Sequence, residues 1–159
     1  MELRDPAHRV HPRARWMWTL GSVAESAMVV TIVLVTSLAI GLYDLRWWMV
    51  ALMVVVLGVD VLVVPRWRYL VHRWEVTDTA VYTQTGWWSR ERRIAPMSRI
   101  QTVDYAEGPV SRLFGLADVT VTTASAAGAL SIKALDRATA LALVEELTEK
   151  ADAVEGDAT

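Results

Sequence analysis

Residues 47–64 read WWMVALMVVVLGVDVLVV, and Asp60 is the only charge among them. Eighteen helical residues rise about 27 Å, close to the roughly 30 Å of a bilayer's hydrocarbon core. The run therefore predicts a membrane-spanning helix. Trp47 and Trp48 stand at one end, and Pro65, Arg66, Trp67 and Arg68 at the other, where interfacial anchors belong.

Upstream, only Asp44-Leu45-Arg46 interrupts a second apolar stretch, Leu20 to Tyr43, which is uncharged from Ala27 onward. A connection this short makes the two spans an antiparallel hairpin. A cleavable signal peptide is the lesser reading, because cleavage near Ser37-Leu38-Ala39 would place the new terminus only a few residues from the second span. Before the first span lies a basic leader carrying Arg4, Arg9, Arg13 and Arg15 against Glu2 and Asp5, with Trp16 and Trp18 at its end. Arg66, Arg68 and Arg73 follow the second span, and the turn between the spans has only Arg46. By the positive-inside rule, both termini belong in the cytoplasm and the multi-pass protein in the cytoplasmic membrane.

Downstream the hydrophobic period changes to that of short strands. Tyr69–Thr77 alternates, with Leu70, His72, Trp74 and Val76 on one side. Ala80–Thr85, Trp88–Ile94, Arg99–Ala106, Asp118–Thr123 and Leu130–Ala134 follow, six strands in all. Imperfect alternation in Arg99–Ala106 predicts a bulge. Pro109–Phe114 reads as one helical turn closed by Gly115. Asp136 caps a last helix that runs to about Ala151, with Ala140, Val144 and Leu147 on one face. The reading is thus an α+β membrane protein: a leader over 1–18, a helical hairpin over 19–65, an antiparallel barrel with its capping helix over 66–151, and an acidic tail over 152–159. Such a closure is one way to cover strand edges.

Charge is divided along the chain. Residues 1–99 carry a formal +4 and residues 100–159 a formal −6, summing to −2. The basic part is the part beside the membrane, which suits an anionic leaflet as partner and argues against nucleic acid. Cysteine is absent, so disulfides and thiolate metal sites are excluded. The chain lacks the phosphate-loop, nucleophile-elbow and H-E-x-x-H patterns, so no enzyme or cofactor is indicated. His8 and His11 have ligand-like spacing but no obvious third ligand.

Two groups of residues remain as candidates for function. Arg90, Arg92, Arg93 and Arg99 form a basic cluster suited to lipid headgroups or a partner, or else to a solvated face paired with Glu91 and the acidic last helix. Glu25 and Asp60 lie within the spans at similar depth, about 10 Å from the basic end. They either reach water and nearby arginines or make a polar contact between the two helices or with a partner's helices. Trp87 and Trp88 would point to opposite faces of their strand, leaving at least one exposed.

The segment Arg93-Ile94-Ala95-Pro96-Met97-Ser98-Arg99-Ile100-Gln101-Thr102-Val103-Asp104, followed by Gly108-Pro109-Val110-Ser111-Arg112-Leu113-Phe114-Gly115-Leu116-Ala117, resembles the YdbS-like bacterial pleckstrin-homology (PH) domain family of membrane proteins. His11-Pro12-Arg13-Ala14 and the two preceding spans resemble it as well. The resemblance implies a PH-like fold: two orthogonal sheets of seven strands and a C-terminal helix, attached to the membrane. It also implies association with a larger membrane protein carrying several such domains, and a role in envelope stress or resistance to membrane-active peptides. This chain carries one extra residue, Ala95, before the motif's proline. Ile100, Gln101, Gly108, Pro109, Arg112 and Gly115 read as shape-setting residues, with Leu113, Phe114 and Leu116 entering the core.

Overall fold

A computed structural model describes residues 5–41, 44–86, 88–124 and 128–156. Glu2, Arg4, Tyr43 and Trp87 lie outside the described residues.

Two helical rods pass the length and hydropathy test for membrane spans, Ala14–Ala39 and Trp47–Val71. The first is helix α1, Ala14–Leu34, ending in a π-helical turn at Val35–Ala39. It begins earlier than the apolar run does, because Ala14 is packed into the domain. The second rod is α2, Trp47–Leu62, continued by α3, Val64–Val71. Pro65 does not end it. Proline is tolerated in the first turn of a helix, where its missing N–H would have no partner. The Arg66 guanidinium donates to the carbonyl of Leu62 at this joint.

The strand expected at Tyr69–Thr77 is therefore corrected. Its first part is helix, and β2 spans only Arg73–Val76. Leu70 is exposed while Val71 and His72 are buried, a helical phase rather than strand alternation. Next come β3, Ala80–Thr85, and β4, Glu91–Pro96. Trp88 precedes β4 rather than opening it. Ala95 causes no slip, for it pairs with Val81 in an unbroken register and is buried. A 3-10 turn, Met97–Arg99, leads to β5, Ile100–Ala106. After the short helix α4, Pro109–Leu113, come β6, Leu116–Thr123, and β7, Leu130–Asp136. The last helix, α5, spans Arg137–Gly156, five residues past the expected end. The Asp136 carboxylate accepts from the Ala138 N–H at 3.2 Å, a local hydrogen bond at the helix start.

Among the described residues there is one strand more than the six expected, and it comes from the leader. His8–Arg9 forms β1 and pairs antiparallel with Trp74 and Arg73. The strand order is β1-β2-β3-β4 in one sheet and β5-β6-β7 in the other, all antiparallel. Gln101 is the bulge expected in β5, since Ile100 pairs with Thr123 and Thr102 with Thr122. A second bulge sets Lys133 and Ala134 against Asp118, and Ala134 takes a φ of 57°. Its N–H donates to Asp118 at 2.7 Å, and its carbonyl accepts from the His11 N–H at 3.1 Å.

Two cores result. The larger lies between the sheets and under α5, built on Val81, Val119, Val121, Ile132 and Leu147. The smaller is the joint between domain and helices. There Val10, Ala14, Leu116 and Ala134 pack with Met17, Trp18, Tyr69 and Phe114.

Candidate functional site

Strand β4 is the outer strand of its sheet, and among the described residues no further strand pairs with its outer side. Alongside it runs a cavity of about 400 Å³, lined by Arg92, Arg93, Ile94, Ala95, Pro96, Arg99, Thr123, Gly128 and Leu130. The cavity lies between β4 and the second sheet. Its polar residues are mainly arginines and its walls are otherwise largely apolar.

The guanidiniums are held in place from several directions. Arg92 donates through Nε to Gln84 Oε1 at 2.9 Å and pairs with Asp5 of the leader. Gln84 is buried and donates in turn to the Val71 carbonyl at 3.1 Å. Arg93 pairs with Glu91 at 2.6 Å and donates to the Ala129 carbonyl at 3.0 Å. A guanidinium presents its five donors in a fixed fork, and these contacts orient each group. Arg99 follows on the 3-10 turn, exposed. Of the four arginines read as one cluster, Arg92, Arg93 and Arg99 line the groove. Arg90 does not; it is exposed between Trp88 and the first residue of β4.

Glu25 is exposed on α1, and its charge acts on Arg68 of α3. Asp60 is half-buried on α2. Arg68 also lies over the Trp18 ring at 4.7 Å, and Trp18 meets the His72 ring at 5.0 Å with the planes inclined by 53°. The leader histidines have other neighbours. His8 meets the Trp74 ring at 5.2 Å with the planes tilted by 37°, and His11 Nδ1 accepts from the Arg13 N–H at 3.2 Å.

His72 is a core histidine, 6% exposed, with Nδ1 donating to the Arg68 carbonyl at 2.8 Å. Burial pushes its pKa below the ordinary histidine range. The hydrogen bond to Arg68 opposes that shift, and the charges of Arg68 and Lys133 add to it. The unfolded chain takes up a proton as pH falls below about 6.5, while the folded chain resists it. The stability difference is thus fully present above that pH and is lost as pH falls through the histidine range. Thermal unfolding of the detergent-solubilised protein from about pH 7.5 to about pH 5 should show this decline. His72→Gln should remove that part of the slope; an unchanged slope would assign the titration elsewhere.

The motif residues shape one corner. Gly108 precedes α4 and Pro109 occupies its first turn. Gly115 has a φ of 66°, takes a hydrogen bond from the Arg137 N–H at 3.2 Å, and faces Arg13. Arg112 is exposed in the last turn of α4, and its charge acts on Glu107. Glu107 is gripped by Arg137 at 2.6 and 2.5 Å. Ile100 packs against the larger core. Leu116 is fully buried and Phe114 half-buried, but Leu113 is 81% exposed, a correction to its expected place in the core. A single helical turn cannot bury every side, and α4 turns Leu113 outward.

Sequence reasoning missed Asp5 as the partner of Arg92 and the leader as a strand. It also missed the place of Trp88, which shares an apolar cavity of about 380 Å³ with Val59, Val63, Val64 and Trp67. A tryptophan just after a turn glycine was the only local signal for the last.

The sequence pattern of the bacterial PH domain family matches residues 19–151. The UPF0699 transmembrane protein YdbS of Bacillus subtilis (strain 168) is 29% identical over 157 residues, covering 96% of this chain and 98% of that protein. No solved structure matches the chain. The matched span takes in most of the first apolar helix, the second, strands β2 to β7 and most of the C-terminal helix, and the chain belongs to the bacterial PH domain family.

Proposed function

We propose that this is a non-enzymatic, membrane-anchored PH-domain protein that serves as an interaction and assembly module at the inner face of the cytoplasmic membrane. The observation that carries the proposal is the open edge of β4 beside the arginine-lined groove. An edge strand offers main-chain N–H and C=O groups to an added strand, and guanidiniums bind carboxylates with two parallel hydrogen bonds. The occupant that suits both is an extended acidic segment of a larger membrane protein bearing further PH domains, or of a second copy of this chain. The arginine asymmetry around the two helices supports cytoplasmic termini. The physiological setting that the family resemblance suggests is envelope stress, including resistance to membrane-active peptides.

The test is photocrosslinking in native membranes, with benzoylphenylalanine replacing Ile94 in the groove. A crosslinked protein is expected, reduced several-fold by Arg93→Gln with Arg99→Gln. Absent protein crosslinks, or crosslinks indifferent to those charges, would overturn the proposal. Crosslinks to lipid alone would favour the second reading, in which the arginines bind anionic headgroups. The position of Arg90 next to the Trp88 tip is what speaks for that reading.

A further inference from the structure

We infer that the domain is not merely tethered to the membrane but rests on it at two points, one beside each helix, with Trp88 and Leu113 entering an anionic phospholipid surface. This does not depend on the β4 groove or on a protein partner.

The first point is the tip of the β3–β4 hairpin. Gly86 turns the chain with a φ of 118°, and Trp88 follows, 89% exposed. Trp88 faces Val59, Val63, Val64 and Trp67 across an apolar cavity of about 380 Å³. Residues four apart lie on one helix face, so Val59, Val63 and Trp67 form a single stripe. Val59 and Val63 precede Arg66, the first basic residue after the apolar run. Trp88 is thus level with the last turns of that run, where acyl chains begin. A tryptophan whose body is apolar and whose N–H is polar belongs at that depth. The gap between tryptophan and valines is walled by apolar groups, and the bilayer around the helix supplies acyl chains to fill it.

The second point is α4. Ser111 donates to the Met17 sulfur at 3.5 Å, which holds α4 against the start of α1 between Trp16 and Trp18. From there Leu113 and Val110 project, 81% and 45% exposed. Each point also carries an exposed arginine, Arg90 near Trp88 and Arg112 next to Leu113. An apolar side chain flanked by a cation suits an anionic interface, with the first entering the acyl boundary and the second meeting phosphate. Both points continue the surface of helices that are themselves apolar and exposed over most of their length.

The absence of cysteine makes site-directed spin labelling clean. The full-length protein is reconstituted into nanodiscs containing phosphatidylglycerol and labelled singly at S89C, V110C or S98C. Ser98 is the control, since it follows Met97, which bonds to Thr79 at the far end of β3. At S89C and V110C, collision with lipid-soluble oxygen relative to a water-soluble nickel chelate should be several-fold higher than at S98C. Adding Trp88→Ser and Leu113→Ser should bring both ratios down toward the control. Control-like ratios at both sites would overturn the inference. So would a lipid signal at one site alone, or protection from both reagents, which marks a protein contact.

Discussion

Gly86→Ala is expected to unfold the β3–β4 hairpin tip and to lower the stability of the whole domain by more than about 3 kcal/mol. A φ of 118° is open to glycine and strained for any L side chain. An added Cβ would also stand 1.8 Å from the carbonyl oxygen of Ser89. That oxygen is main chain, so no side-chain rotation relieves the clash. The turn would have to reopen, pulling apart Thr85 and Glu91, the pair that closes the ladder. Gly108→Ala is the matched control. Its φ is −68°, and the added Cβ would meet only Ser111 Oγ at 3.7 Å, an ordinary contact. That change should stay within about 0.5 kcal/mol. Thermal unfolding of the solubilised protein followed by tryptophan fluorescence ranks the two. Equal melting points would contradict the tight turn. Because Trp88 rides on this turn, Gly86→Ala should also abolish the lipid signal expected near it.

The second large effect is at Leu116. It is fully buried in the joint where leader, first helix, α3 and the second sheet meet. Truncation to alanine there should cost about 2–5 kcal/mol, from lost transfer energy and the cavity left behind. Leu113→Ala, three residues earlier in the same motif, should change stability by no more than about 0.5 kcal/mol, because Leu113 is already in contact with the surroundings of the domain. The comparison is sharp because both leucines lie in one short turn and sequence alone assigns both to the core. A larger loss from Leu113 than from Leu116 would reverse the orientation of α4.

How far the architecture could be read in advance depends on how local each signal is. The membrane helices were legible because their length and apolarity are compared with a fixed bilayer thickness. The α4 turn, the β5 bulge and the start of α5 were legible because Pro109, Gly115 and Asp136 act on their immediate neighbours. Tyr69–His72 misled because a short amphipathic helix and a strand can place similar residues over four positions. The phase was settled by which side met α1: Tyr69 faces the joint, and Leu70 faces away.

The candidate site was legible only as composition. Four arginines close in sequence look like one cluster, yet Arg92, Arg93 and Arg99 line the groove, with the Arg92 guanidinium turned to Gln84 and Asp5, while Arg90 stays at the turn. Nothing local in His8-Arg9 marks a strand, because two residues gain their ladder only from the exposed edge of β2.

The amino-acid sequence by itself determined the two apolar helices, the succession of antiparallel strands, the closing helix and the family. Each of these rests on periodicity, turn chemistry or a motif that acts within a few residues. The tertiary structure alone decided the seventh strand, the Arg92–Asp5 pair and the place of Trp88 beside the second helix. The contacts behind the first two cross 64 to 87 residues of chain, as in Arg9 to Arg73 and Arg92 to Asp5. A pairing at that separation is chosen by how whole elements pack, and a one-dimensional pattern does not encode it.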